Sequence, residues 1–314
     1  MNTLGNLRRD TPPMKAEAEA AARARLLAAM REPQPRPRRT MRLGLRLAAA
    51  GTLAVALGVG VVVVRDQPRV VTVSSVEELG ERAAQAAYAN TGMVPISGKW
   101  LYIKEVQAPA AGEAGNGVDL SKRENFEQWT SVDGRQIAWR QPNGELLVQG
   151  NSPGIGTAEL SEQPVTPEGV LAKVRREVEK FRERRVIGMG SEELSLDEEL
   201  FSAVSQLMST QALPPEVRAA LFRALPTIPG VSIRRDVTDA SGRVGIAFSH
   251  TGWARYDLIL DPVDFQYLGK YGEITSERRV ENGAGNPPTV YRPGTPVVLT
   301  SRVETKVVDT PGLK

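Results

Sequence analysis

Residues 127–140 read EQWTSVDGRQIAWR, two strand-like runs, Glu127–Val132 and Gln136–Arg140, on either side of Asp133-Gly134. An Asp-Gly pair supplies the positive φ that a tight hairpin turn requires, so the stretch reads as an antiparallel hairpin. A third run, Glu145–Gln149, follows the turn Pro142-Asn143-Gly144 for the same reason. A meander of this kind makes an antiparallel sheet the nucleus of the fold.

Upstream, Lys99–Gln107 (KWLYIKEVQ) has strand composition, and 108–123 is a loop rich in Gly, Ala and Asn. Before it, Val76–Ala89 reads as an amphipathic helix with Val76, Leu79, Ala83, Ala86 and Ala87 near one face. Downstream the chain turns helical. Thr166 is an N-cap with Pro167 at the first helical position, and Val170, Leu171, Val174, Val178 and Phe181 form the apolar face. Ser195 with Glu198 makes a capping box for a second helix, with Leu200, Phe201, Val204, Leu207 and Met208 inward. Pro214-Pro215 starts a third helix, carrying Val217, Leu221 and Phe222 and ending at Pro226. Strands then return. Val231, Ile233 and Val237 alternate, as do Val244, Ile246 and Phe248 after the turn at Ser241-Gly242. Trp253–Leu260 and Phe265–Tyr271 flank a turn at 261–264, and Gly283–Pro288 is a loop. Val297–Val308 is a last long strand, with Leu299, Ser301, Val303, Thr305 and Val307 expected on one face. This order predicts an α+β fold, one antiparallel sheet with helices packed on one face.

The N-terminal quarter is different. Leu47–Val64, LAAAGTLAVALGVGVVVV, is eighteen residues without a charge, closed by Arg46 and Arg65. As a helix it reaches about 27 Å, near the hydrocarbon thickness of a bilayer, and the arginine stems cover the shortfall. A buried core helix would need a polar stripe, and only Thr52 is polar. Arg36, Arg38, Arg39, Arg42 and Arg46 precede the run, which places the N-terminus in the cytoplasm and the C-terminus outside the plasma membrane. A cleaved signal peptide is disfavoured, because VVRDQP at the exit lacks a small-x-small site. The expected organisation is a basic cytoplasmic tail (1–42), a single-pass transmembrane signal anchor (43–65), a linker (66–75) and an extracytoplasmic domain (76–314). Residues 1–46 carry a net charge of +7 and the remainder −4, so the basic character belongs to the tail. Tail arginines beside the bilayer favour anionic lipid; without interleaved aromatics they do not suggest nucleic acid. Within the tail, 15–30 is rich in helix formers and stops at Pro33, with Leu26, Leu27 and Met30 as a small apolar face. So short a helix is either disordered or docked on a cytoplasmic partner.

Candidate chemistry is sparse. The chain has no cysteine, which excludes disulfides and thiol catalysis. His250 is the single histidine, and no G-x-S-x-G elbow accompanies it. Glu192, Glu193, Glu198 and Glu199 sit where helix starts favour acids. Asp257, Asp261 and Asp264 match no calcium-loop spacing, and neither a phosphate-binding loop nor a dinucleotide fingerprint occurs. The expectation is a non-enzymatic domain without cofactor or metal. Trp100, Trp129, Trp139 and Trp253 all fall on expected strands, with Tyr102, Tyr256, Tyr267 and Tyr271. They either pack a core between sheet and helices or line an apolar groove on a curved sheet.

The stretches LRRDTPP (7–13), ARARLLAAM (22–30), EQWTSVDGRQIAWR (127–140), VTPEGVLAKVRRE (165–177), LPPEVRAALFRALPTIPGV (213–231), DASGRVGIAF (239–248) and DLILDPVDFQYLG (257–269), with the Ala/Val-rich anchor, carry a resemblance. The chain resembles an uncharacterised family of actinobacterial single-pass membrane proteins often encoded beside sigma factors of the extracytoplasmic-function type. That resemblance implies a module or regulator in a sigma-factor circuit, with a sigma factor or its regulator as cytoplasmic partner, and supplies no catalytic residue. The element order also looks like the half-barrel of lipoprotein carriers, which implies the alternative of a carrier or sensor of an apolar ligand.

Overall fold

The computed structural model describes residues 73–90, 96–111, 117–141, 143–151, 153–184, 194–280 and 288–314. Among the described residues no helix is long and apolar enough to cross a membrane. The run 47–64 and the tail residues Leu26, Leu27 and Met30 lie outside them.

Ser75 accepts a hydrogen bond from the Glu78 amide at 3.2 Å and starts α1, Val76–Ala89, which buries Leu79, Ala83, Ala84 and Ala87. The expected meander follows as β1 (Trp100–Gln107), β2 (Glu124–Ser131), β3 (Gln136–Arg140) and β4 (Leu146–Gly150). A one-turn helix, α2 (Thr157–Leu160), has no counterpart in the sequence reading; four residues are too few to show a period. Three longer helices come next: α3 (Pro167–Arg184), α4 (Leu196–Thr210) and α5 (Pro215–Ala224). Thr166 Oγ1 accepts from the Gly169 amide at 3.0 Å, and Ser195 and Glu198 close the capping box reciprocally.

A second meander is built by β5 (Val231–Thr238), β6 (Val244–Thr251), β7 (Ala254–Leu260) and β8 (Tyr267–Ile274). The short β9 (Arg278–Val280) and β10 (Thr289–Tyr291) pair apart from the main sheet and have no counterpart in the sequence reading. The last strand, β11 (Pro296–Val308), lies between β1 and β8 and joins the two meanders into one antiparallel sheet of order β4-β3-β2-β1-β11-β8-β7-β6-β5. The outer strands β4 and β5 do not pair with each other, so the sheet is not closed into a barrel. The fold is α+β, as expected.

The main core fills the space between the helices and one half of the sheet. Leu79, Val170, Val174, Leu200, Phe201, Leu207 and Leu221 meet Ile246, Phe248, Leu258 and Leu260 there. Each such side chain, fully removed from water, contributes roughly 1.5–3 kcal/mol before the entropy of ordering is subtracted.

β11 departs from the expected pattern. Its pairing with β1 slips by one residue, Lys104 facing Glu304 and Glu105 facing Arg302, so Val303 is extra. An extra residue reverses the alternation along a strand. Leu299 therefore packs with Ala108 and Ala240, whereas Val307 packs with Leu101, Ile103 and Ala212 below α4; Val303 itself is exposed. The single face expected for Leu299, Ser301, Val303, Thr305 and Val307 is two faces.

Two glycines are required by position. Gly134 has φ +79°, as the turn chemistry demands, and a Cβ there would also lie 2.6 Å from the Gln211 side chain. Gly269 lets β8 approach β11 so closely that a Cβ would stand 2.1 Å from the Thr300 carbonyl oxygen.

Candidate ligand-binding cleft

The wing of the sheet made by β3 and β4 extends past the helical core, and an open cleft of about 760 Å³ lies between it, α3 and α4. Ile137 and Trp139, two residues apart on β3, supply the sheet wall. Val178 and Phe181 of α3, with Leu194 and Ala203, supply the helical wall, and Pro153 closes one side. Phe181 departs from the expected inward face. Val170, Val174 and Val178 are buried, but Phe181 is 57% exposed, because the last turn of α3 overhangs the cleft rather than the core. Charges at the rim pair among themselves: Lys180 with Glu177 at 2.5 Å and Arg182 with Glu199 at 3.1 Å. A mostly apolar wall with neutralised rim charges suits an apolar guest, and the volume falls within the roughly 300–1,000 Å³ usual for ligand pockets.

The inner end is polar. Gln206 of α4 lines the cleft, and its Oε1 accepts from Lys270 Nζ at 3.1 Å. Lys270 sits on β8 opposite Leu258, hence on the helical side of the sheet. Burial lowers its pKa from 10.5 to about 8; the Glu105 carboxylate opposes that shift and the Arg302 guanidinium adds to it. Glu105 is held by Arg302, whose guanidinium also donates to Thr305 Oγ1 at 3.0 Å and to the Ser209 carbonyl, and lies 4.8 Å from the centre of the Tyr267 ring. Ser209 belongs to the last turn of α4, where the helix dipole favours a cation.

The four tryptophans fall into three places. Trp129 pairs with Tyr102 and Ala138, and Trp139 pairs with Gln128, so Trp129 and Trp139 are on opposite faces. Trp129 is fully buried with Tyr102 and Ala138, the partly buried Trp100 packs against them, and Trp129 Nε1 donates to the Leu313 carbonyl at 2.6 Å. Trp253 stands at the β6–β7 turn, edge-on to Tyr291 at 5.6 Å and under the Arg278 guanidinium at 4.9 Å. Of the four, Trp139 lines the cleft.

The weaker candidates also resolve. His250 is buried, stacked on Phe201 at 5.6 Å, and its Nε2 donates to the Pro229 carbonyl at 3.1 Å. A carbonyl can only accept, so that nitrogen carries the proton and is committed to the backbone. Asp257 is buried and paired with Arg234, and Asp261 caps its own turn through the Val263 and Asp264 amides. Among the described residues no group of three His, Asp or Glu side chains converges as a metal site.

Sequence reasoning missed Ala203, Gln206 and Lys270. Ala203 and Gln206 lie within α4 but outside the apolar stripe read from the sequence. Lys270 does carry a signal, a cation with no charged neighbour for two residues on either side within YLGKYG (267–272). Compared with protein families, curated proteins and solved structures, the chain matches none.

Proposed function

We propose that the chain is a membrane-anchored, non-enzymatic extracytoplasmic module whose cleft between β3, α3 and α4 takes up an acyl chain, from a lipid or a lipoprotein. The observation that carries this reading is the apolar cleft of about 760 Å³ with Trp139 and Phe181 on facing walls. The open sheet acts in this proposal as a half-barrel, its helical face supplying the floor. The uncharged run 47–64 supports placement beside the bilayer, where such a guest is abundant. The tail face of Leu26, Leu27 and Met30 would pass occupancy to a sigma factor or its regulator; this part rests on the sequence resemblance and on confinement at the membrane.

The test uses the full chain in phosphatidylcholine vesicles, a fraction of whose acyl chains are brominated. A bound brominated chain quenches tryptophan emission from Trp139. Quenching should be largely lost in Trp139→Phe and reduced in Ala203→Phe, which fills the cleft. Quenching that is absent in the parent chain, or unchanged by both substitutions, rejects the reading.

A further inference from the structure

A second pocket, of about 460 Å³, opens on the other side of α4, between α1, α5 and the strands β7, β8 and β11. Its walls include Ala87, Leu101, Phe222, Leu258, Leu260 and Phe265, and its charged lining includes Arg218 of α5. Arg218 is half-buried, and one of its terminal nitrogens donates to the Leu213 carbonyl at 3.0 Å. Among the described residues that is its one hydrogen bond, although a guanidinium carries five donors, and none of their carboxylates pairs with it. Burial presses its pKa down. Arginine does not relieve such a penalty by losing its proton, so relief comes from water on its exposed side or from an anion in the pocket.

The other charged groups on this pocket are already engaged or solvated. Arg302 is held by Glu105, Thr305 and Ser209. Glu304 is exposed and paired with Lys306 at 2.7 Å, and Asp264 is exposed with its Oδ1 accepting from the Gln266 amide at 3.0 Å. A partly open pocket with apolar side chains along one part of its wall and a half-buried, sparsely hydrogen-bonded cation at its edge is complementary to a chain that ends in an oxyanion.

We propose that this pocket binds a single-chain anionic amphiphile, with Arg218 gripping the head through paired N–H donors and the apolar wall covering the chain. The site is separate from the Trp139 cleft and does not depend on it. Two charge-assisted hydrogen bonds to a carboxylate discriminate against an uncharged head by roughly tenfold or more.

The test uses the full chain in neutral phosphatidylcholine vesicles with a diazirine-bearing palmitate, and in parallel its methyl ester, followed by mass-spectrometric mapping of the labelled peptides. The acid should label peptides containing Met208–Ala212 and 258–267 at least several-fold more than the ester does. In Arg218→Met the acid should fall to the ester's level; Arg218→Lys, which keeps the charge, should retain part of the preference and guards against a variant that fails to fold. Equal labelling by acid and ester, or a preference unchanged in Arg218→Met, overturns the proposal. Displacement of the acid by millimolar inorganic phosphate would make this a site for free anions and also overturns it. Label confined to peptides bearing Trp139 and Phe181 sinks this site while leaving the cleft reading intact; label at neither place sinks both.

Discussion

Replacing Lys270 by Met removes the ammonium beneath α4 while keeping an unbranched side chain of similar length. Burial holds the lysine at about 8 instead of 10.5. At about 1.36 kcal/mol per unit, the charged form disfavours folding by at most about 3 kcal/mol. Between these two values the unfolded chain binds more protons at this position than the folded one, so its contribution to stability rises with pH. The penalty is complete below about 8 and gone above 10.5. Methionine carries no such penalty at any pH. Against this, the Gln206 Oε1 loses its donor, which costs about 1 kcal/mol whatever the pH. Lys270→Met should therefore be more stable than the parent by about 1–2 kcal/mol near neutral pH, and this advantage should vanish or reverse near pH 10. Urea unfolding of residues 66–314, followed by tryptophan emission, measures both differences. An identical difference at the two pH values would refute the assignment of Lys270 as a desolvated cation.

Four further outcomes test other parts of the structure. Gly134→Val should lower the unfolding midpoint by the equivalent of about 1 kcal/mol or more, since it strains a positive φ and meets Gln211; an unchanged midpoint would mean the turn is not as described. Gly269→Ala should cost about 3 kcal/mol, because the contacted atom is the Thr300 backbone carbonyl, which moves only by opening the β8–β11 pairing; hydrogen exchange along β11 should rise with it. A reporter active only outside the cytoplasm should work when fused after Lys314 and be silent when fused at Pro37, and the reverse pattern would overturn the orientation. Leu26→Asp combined with Leu27→Asp should reduce co-purification of a cytoplasmic partner while membrane insertion persists; undiminished recovery of that partner would rule out contact through this face.

Local structure was legible wherever short-range chemistry dictates it. Asp133-Gly134 specified a hairpin, Ser195 with Glu198 a helix start, and the α3 and α4 repeats their buried faces, because each depends on backbone conformation or periodicity within a few residues. The same reasoning led to the α+β class. It could not see α2, β9 or β10, which are too short to show a period. Phe181 belonged to the right stripe but met a cleft, since a stripe says which way a side chain points and not what it meets.

The sequence by itself determined the longer helices and strands, the hairpin turns, the missing cysteine chemistry and the uncharged run at 47–64. Only the tertiary structure decided the position of β11, which brings Glu105 to within 3.2 Å of Arg302 across nearly two hundred residues of chain. Only it split the tryptophans between two faces, and only it placed Lys270 under Gln206 and Arg218 against an apolar wall. The physical reason is the range of the forces concerned. Propensity, capping and turn strain act between near neighbours and are written in the local sequence. Strand order, the slip at Val303 and the shape of a cavity depend on which distant surfaces exclude water together, and no window along the chain contains both partners.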